Sequence, residues 1–259
     1  MKKFWILLVI GIITMGLAAC SSDDDDEEEM YVEEVDSDDN DDTNENSDSD
    51  ETDSDESDSD ESDDDDTGIS KATGTENGYA YVDLGLSSGL QWARVNIGAT
   101  LPADYGDYYA WGETETKDSY TSDNSITYCF DTDDFSGDAT YDAATANWGS
   151  SWRMPTTSNF DELINQCSWT WTTQKNSDGS TTKGYRIEGP NGNSIFLPSA
   201  GFWYSKYSQG YGYYWSSTPY PYASWSEDDS AYSLYFDNYN YKSTSATRSN
   251  GRSVRPVLK

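Results

Sequence analysis

The sequence contains no histidine among its 259 residues. Histidine is the usual general base near neutral pH and the commonest side-chain ligand of transition metals. A serine nucleophile also needs a neighbouring base, and that base is most often histidine. The composition therefore argues against a Ser-His-Asp hydrolase and against a histidine-ligated metal centre.

Basic residues are scarce as well, because 15 Lys and Arg stand against 49 Asp and Glu, for a net charge of −34. More than half of the acids lie between Ser21 and Asp66, a stretch without Lys or Arg. A chain without a basic patch is a poor partner for nucleic acid and for anionic lipid surfaces. The mildly acidic remainder, about 190 residues, is long enough for one domain with a hydrophobic core.

An apolar run at the N-terminus, Phe4 to Met15, follows the basic residues Lys2 and Lys3. About twelve apolar residues suit the hydrophobic region of a secretion signal and are few for a membrane span. The next residues, Leu17-Ala18-Ala19-Cys20, resemble a lipobox, where lipoprotein maturation attaches diacylglycerol to the cysteine thiol. The sequence therefore predicts a signal peptide over residues 1–19 and lipidation of Cys20. The alternative is an uncleaved membrane anchor with an incidental cysteine.

An acidic run begins directly after that cysteine, with Ser21, Ser22, Asp23, Asp24, Asp25 and Asp26. It resembles the export signal that routes Bacteroidota lipoproteins to the cell surface, which predicts an outer-membrane protein, lipid-anchored and facing the exterior. The alternative is that these residues only begin the linker. Residues 20–70 are predicted to be a disordered acidic stalk, since Asp36 to Asp66 offers no apolar face and its like charges repel.

The amino-acid composition changes near Tyr79, where Trp, Tyr and Gly become frequent. Residues 75–259 are predicted to form one domain. Tyr81 to Leu86 and Gln91 to Ile97 indicate a hairpin around Ser87-Ser88-Gly89. One short helix is expected over Asp142 to Trp148. A second is expected to be capped by Thr157 or Ser158, with Phe160, Leu163, Ile164 and Cys167 on one face. Further strands are predicted at Trp169–Thr173, Tyr185–Glu188, Ser194–Pro198, Gly212–Ser217, Tyr232–Phe236 and Ser253–Leu258. Two helices among many short strands indicate the α+β class.

Five stretches in order carry a family resemblance. They are Leu84–Leu86 to Asn96–Ala99, Tyr105–Glu113, Ala143–Gly149 with Trp152–Thr156, Gly189–Pro198, and Tyr214–Ser217 with Arg252–Val257. Together they resemble the FISUMP (major paralogous) domain family of Bacteroidota and Fibrobacter surface proteins, over about residues 79–259. The resemblance implies a C-type lectin-like domain, the fold shared with the formylglycine-generating enzymes and with retroelement-diversified receptors.

No catalytic residue, metal site or cofactor is predicted, and the protein is not expected to be an enzyme. The formylglycine-generating relatives hold copper with two late cysteines, whereas no cysteine follows Cys167. Asp228, Asp229 and Asp237 are candidate carboxylates for glycoside hydrolysis, but their spacing is uninformative. Glu188-Gly189-Pro190-Asn191 departs from the calcium-binding Glu-Pro-Asn motif of lectins by one glycine. It is better interpreted as a turn at Pro190-Asn191-Gly192, and calcium binding stays open.

The C-terminal third is rich in Tyr and Trp interleaved with Ser, Asn and Asp, a mixture that is typical of recognition surfaces. Trp215, Tyr232, Leu234 and Phe236 alternate within predicted strands and are assigned to the core. The aromatics of loop-like segments are the predicted ligand-binding residues: Tyr204, Tyr207, Tyr220, Tyr222, Trp225, Tyr239 and Tyr241. Cys129 and Cys167 can pair as a disulfide outside the cell, and the sequence leaves that pairing open.

The expected function is a cell-surface module that recognises an extracellular glycan or protein. One alternative is a receptor whose residues from about Trp203 to Asn250 are varied by a diversity-generating retroelement, since mutated Asn codons yield Tyr, Ser and Asp. Another is a structural component of the surface coat or of a pilus.

Lipidation gives the first test. We expect Cys20→Ala to release the protein from membranes or to leave its precursor uncleaved, because the thiol is the lipid acceptor. Membrane fractionation and the electrophoretic mobility of the mature chain measure this. A variant that fractionates and migrates as the wild type does would show that the chain is not a lipoprotein.

Overall fold

The computed structural model describes residues 69–128, 132–204, 207–208, 210–221 and 229–258, with the backbone alone at 207–208. The signal peptide, Cys20, the acidic run Ser21–Asp26 and almost all of the predicted linker lie outside these residues. Cys129, Tyr222 and Trp225 lie outside them too. Among the described residues, no helix combines the length and the apolar character that crossing a membrane requires.

The described residues form fifteen strands, two α-helices and one 3-10 helix. The strands are β1 Gly74–Glu76, β2 Tyr79–Asp83, β3 Gln91–Ala93, β4 Tyr108–Tyr109, β5 Trp152–Arg153, β6 Ser168–Lys175, β7 Thr181–Glu188, β8 Ser194–Pro198, β9 Phe202–Trp203, β10 Tyr207–Ser208, β11 Gly212–Pro219, β12 Ser230–Phe236, β13 Tyr241–Thr247, β14 Arg252–Ser253 and β15 Val257–Leu258. The α-helices are α1 Ala143–Trp148 and α2 Thr157–Gln166, and the 3-10 helix is Ser122–Asn124.

One sheet joins the two ends of the domain in the order β1-β2-β3-β15-β5. The predicted hairpin is confirmed, because β2 and β3 pair antiparallel with Val82 opposite Trp92. Its turn closes with a bond from the Gly89 amide to the Leu86 carbonyl, 2.9 Å long. The last strand, β15, pairs with both β3 and β5, so the C-terminus completes this sheet.

A three-stranded antiparallel sheet, β6-β7-β8, packs beside it. Its second connection is the predicted turn at Pro190-Asn191-Gly192, where the Gly192 amide donates to the Gly189 carbonyl over 3.0 Å. The Asn191 side-chain amide donates to the Asp83 carbonyl over 2.9 Å. The turn therefore ties β7 and β8 to the end of β2.

The central sheet runs in the order β13-β12-β11-β14-β4, and its neighbouring residues face two different cores. Tyr214 lies in a core with Leu234 and Phe236. Trp215, the next residue of β11, lies in a second core with Trp111. Three of the predicted core residues, Trp215, Leu234 and Phe236, are confirmed by complete burial.

Tyr232 does not belong to the core, contrary to the prediction from strand alternation. It is half-buried, and its ring packs edge-on against Tyr220 with centroids 5.0 Å apart. Alternation identifies the face of the strand, which Tyr232 shares with Leu234 and Phe236. It does not determine how far along the strand the core extends.

Both helices occur where they were predicted, each with a side-chain cap. The Asp142 carboxylate begins α1 by accepting from the amides of Ala144 and Thr145, at 2.9 and 3.0 Å. The cap of α2 is Thr156, not Thr157 or Ser158, and it forms a reciprocal capping box with Asn159. The prediction was wrong by one residue because Thr156, Thr157 and Ser158 all have capping side chains.

The predicted α+β, C-type lectin-like class is wrong, because the domain is mostly β, with 38% strand and 11% helix. The two α-helices contribute only 6 and 10 residues. Strand β13 was not predicted from the sequence, because its residues are mainly Ser, Thr and Lys and form no apolar alternation. Strands β1, β4, β5, β9 and β10 were not predicted either, since they have only two or three residues and too little pattern to detect.

A buried arginine joins these sheets. Arg255 is completely buried, and its guanidinium donates to the carbonyls of Ala93, Arg94 and Phe196 at 3.1, 2.9 and 3.0 Å. It also donates to the Asn96 side-chain oxygen over 2.8 Å. Burial lowers its pKa, since water no longer stabilises the charge. The hydrogen bonds offset that cost and connect β3, β8 and the C-terminal segment.

We expect Arg255→Lys to destabilise the fold by at least about 3 kcal/mol, because one ammonium group cannot reach all four acceptors and leaves buried carbonyls unpaired. Guanidinium chloride unfolding measures this. The matched control is Arg186→Lys, since Arg186 is part-exposed and pairs with Glu188 at 2.7 Å. It should cost less than about 1 kcal/mol. Equal losses in the two variants would contradict the role given to Arg255.

Candidate ligand cleft

An open cleft of about 360 Å³ lies at one end of the central sheet. Its size falls in the range of small-molecule sites in proteins. The lining residues come from the 3-10 helix and the loop after it, from β9 and the residue after it, from the residue before β12, and from the end of β13 and the segment that follows it. They are Ser122, Tyr128, Phe202, Tyr204, Asp229, Thr247, Ser249 and Asn250.

One wall of the cleft is fixed by a backbone bridge between β9 and the segment before β14. The amides and carbonyls of Trp203 and Gly251 exchange two hydrogen bonds of 2.8 Å. A glycine is required at position 251, because a Cβ atom there would lie 2.8 Å from the ring of Tyr120. The bridge holds Phe202 and Tyr204 against Ser249 and Asn250.

Arg248 fixes the opposite wall. Its side chain is buried, with the guanidinium 4.4 Å from the ring centroid of Trp111. It donates to the carbonyls of Ser230 and Thr127, at 3.0 and 3.2 Å. Its backbone amide donates to the Asp229 carbonyl over 2.6 Å. Arg248 thus positions Thr127 and Ser230, which are the sequence neighbours of the lining residues Tyr128 and Asp229.

The pair formed by Tyr128 and Asp229 is the polar centre of the cleft. The Tyr128 phenol lies beside the Asp229 carboxylate, and both line the cleft. Burial, followed by the interaction with the Asp229 carboxylate and by the nearby Tyr204, raises the pKa of Tyr128 to about 12. The phenol is therefore neutral at physiological pH.

An aromatic surface continues from the cleft along the central sheet. Phe202 lines the cleft and also packs edge-on against Tyr213, with centroids 5.1 Å apart. Tyr213 in turn lies 5.2 Å from Tyr235, and Tyr235 stacks with Tyr211 at 6.2 Å. We call Tyr211, Tyr213 and Tyr235 the tyrosine strip. Tyr211 is its most accessible member, with 39% of its surface exposed.

Of the predicted ligand-binding residues whose side chains the structure describes, one lines this cleft. Tyr204 does so, and half of its surface is exposed. Tyr239 is 82% exposed but lies in the turn between β12 and β13. Tyr222 and Trp225 lie outside the described residues, as does the side chain of Tyr207.

Two other predicted residues are packed against neighbouring rings. Tyr220 contacts Tyr232, as described above. Tyr241 is half-buried and stacks on Trp169, with centroids 4.4 Å apart and planes 10° from parallel. Tyr241 therefore helps to close the first core, a role that its position after a polar turn did not reveal.

Cys167, the predicted disulfide partner of Cys129, is the C-terminal cap of α2. Burial, with a smaller effect of the charge on Glu162, raises the pKa of its thiol to about 11. The thiol is therefore protonated at neutral pH. Because Cys129 lies outside the described residues, the disulfide stays a prediction.

Most of the cleft was not predicted from the sequence. Tyr128 lies in a loop with no pattern, and Asp229 was considered as a glycosidase carboxylate and within an acidic stretch that lacks a lectin calcium motif. Asp237, its candidate partner, instead closes the turn after β12 by accepting from the amides of Tyr239 and Asn240, at 2.7 and 2.8 Å. Those bonds hold the pKa of Asp237 below its usual value. The described residues contain no group of three Asp, Glu or Cys arranged to hold a metal ion.

Comparison of the chain with protein-family models, with curated proteins and with solved structures found no match. The FISUMP resemblance therefore depends on the five sequence stretches alone.

The Tyr128–Asp229 pair can be tested by alkaline titration. We expect Asp229→Asn to lower the pKa of Tyr128 from about 12 toward the ordinary value of 10, because the neighbouring charge is lost while burial is kept. The difference in phenolate absorbance between each protein and its Tyr128→Phe counterpart isolates this residue. Since the folded pKa is raised, the stability that Tyr128 contributes is complete below pH 10 and is lost as the pH rises through 12. An unchanged pKa in Asp229→Asn would show that the pair does not form.

Proposed function

We propose that this chain is a lipoprotein of the outer cell surface whose globular domain recognises an extracellular ligand in the cleft. The observation that carries the proposal is the cleft itself, where one exposed and two half-buried aromatic rings lie with one carboxylate on a framework of buried hydrogen bonds. Pockets that bind small ligands combine apolar walls with a few positioned polar groups in this way. Recognition is favoured over catalysis because Asp229 is the one carboxylate in the described lining, whereas glycoside hydrolysis uses two.

The sequence supports the surface location and the family. The lipobox at Cys20 and the acids after it support lipidation and display, and the long acidic segment suits a spacer. The five FISUMP-like stretches supply buried residues such as Trp111, Trp152 and Trp215. None of the eight residues that line the cleft belongs to these stretches. This separation suits a common scaffold that carries a site specific to each chain.

One observation favours the diversified receptor as a second candidate. Five of the lining residues fall within the segment Trp203 to Asn250 that was proposed to vary. They are Tyr204, Asp229, Thr247, Ser249 and Asn250. A near-identical template repeat and a reverse transcriptase gene beside this gene would support that candidate, and their absence would remove it.

The experiment for the proposed function is a glycan and protein array probed with the mature chain and two matched variants. Tyr204→Ala removes an exposed ring inside the cleft, and Tyr239→Ala removes an exposed ring outside it. Loss of an anchoring Tyr costs about 2 kcal/mol of binding, or roughly 30-fold in affinity. We expect that loss for Tyr204→Ala alone, with the melting temperature of both variants nearly unchanged.

Binding that survives Tyr204→Ala at full affinity would exclude the cleft as the recognition site. An array without any ligand, together with an altered envelope and normal adhesion in a deletion strain, would favour the structural component instead.

A further inference from the structure

The described residues of the cleft lining carry charge of one sign. Asp229 is the only residue among these eight with a formal charge at neutral pH, since Tyr128 keeps its proton. Arg248, which fixes one wall of the cleft, directs its guanidinium to Trp111 and to backbone carbonyls. The described part of the chain contains no ion pair to the Asp229 carboxylate. A negative charge without a counter-ion at a cleft wall favours a positively charged ligand.

The chemistry of the polar pair strengthens this preference. The Asp229 carboxylate has only acceptor oxygens, and the oxygen of the Tyr128 phenol beside it can accept as well. The Asp229 carboxylate accepts a bond from the Ser230 hydroxyl over 3.2 Å and has acceptor capacity left. Among the lining residues that the structure describes, an anion would meet these oxygens and the negative charge and no basic residue.

The aromatic rings of the lining also favour a positively charged ligand. Three of the eight lining residues, Tyr128, Phe202 and Tyr204, carry aromatic rings. The faces of such rings attract ammonium groups, and the attraction grows where water is partly excluded. Cages of several aromatic rings with a carboxylate recognise quaternary and methylated ammonium ions by the same physics.

From these observations we propose that the cleft takes the ammonium group of an organic cation, held by the Asp229 carboxylate and by the rings of Tyr128, Phe202 and Tyr204. This inference rests on the proposed function, since it assumes that the cleft is the ligand site. The ammonium group can come from an amino sugar or from a lysine side chain of a protein ligand.

The test compares charged probes with uncharged probes of the same shape, by titration of the mature chain. Choline is compared with 3,3-dimethylbutan-1-ol, in which carbon replaces the nitrogen. Glucosamine against glucose, and Nα-acetyl-lysine amide against Nα-acetyl-norleucine amide, distinguish the two sources. We expect choline to bind at least about tenfold more tightly than its neutral counterpart. Asp229→Asn should abolish that preference.

Asp161→Asn is the matched control, because it removes the same charge from the exposed surface of α2, where Asp161 accepts a bond from Ser243. It should keep the preference for choline. Tyr204→Leu is a second variant that keeps apolar volume but removes a ring, and it should weaken choline binding while the melting temperature stays the same. These two variants keep the test decisive if Asp229→Asn folds poorly.

Equal affinity for choline and its neutral counterpart, or a preference that survives Asp229→Asn, would overturn the inference. A neutral glycan that binds through Tyr204 while choline does not bind would also overturn it. That last result would leave the recognition function of the cleft standing, so the two proposals fail separately.

Discussion

The fold depends on how it accommodates buried positive charge. An arginine removed from water is costly unless its donors find acceptors. Arg255 makes four hydrogen bonds, to three backbone carbonyls and to the Asn96 side chain. Asn96 donates in turn to the Tyr105 carbonyl, and the Tyr214 hydroxyl donates to Pro198 over 2.7 Å. Small displacements of these strands would leave polar groups unpaired. The hydrogen bonds around Arg255 therefore fix the register of the strands.

The same segment near the C-terminus supplies two more buried arginines. Arg252 lies between the rings of Tyr213 and Trp215, at 4.6 and 4.7 Å from their centroids, and donates to the Ser233 hydroxyl over 2.9 Å. Arg248 lies on Trp111 and joins the two sides of the cleft. Aromatic rings and backbone carbonyls thus stabilise these buried guanidinium groups, a role that carboxylates have in many other proteins. This arrangement leaves the Asp229 carboxylate available to a ligand.

The sequence predicted the local elements better than their assembly. The hairpin between β2 and β3, the turn at Pro190-Asn191-Gly192 and both helices follow from local turn and capping chemistry. The class was wrong because β13 has no apolar alternation, although β12 pairs along its whole length. Tyr241 was misjudged for the same reason, since its burial depends on Trp169 in a different sheet.

The cleft was predictable only in part. Tyr204 could be found because an exposed aromatic in a polar loop is unusual enough to suggest binding. Tyr128 and Asp229 could not, since they are distant in sequence and meet through tertiary contacts such as the bonds from Arg248 to the Thr127 and Ser230 carbonyls. One sequence alone does not indicate which of its distant loops are in contact.

The central claim is that this cleft is where the domain meets its ligand. The most direct measurement is heteronuclear NMR of the isotopically labelled mature chain during titration with choline. We expect the largest changes in amide chemical shift at Tyr128, Tyr204, Asp229 and Asn250, and only small changes in the tyrosine strip. Shifts centred on Tyr211 and Tyr235, or spread evenly over the domain, would contradict it.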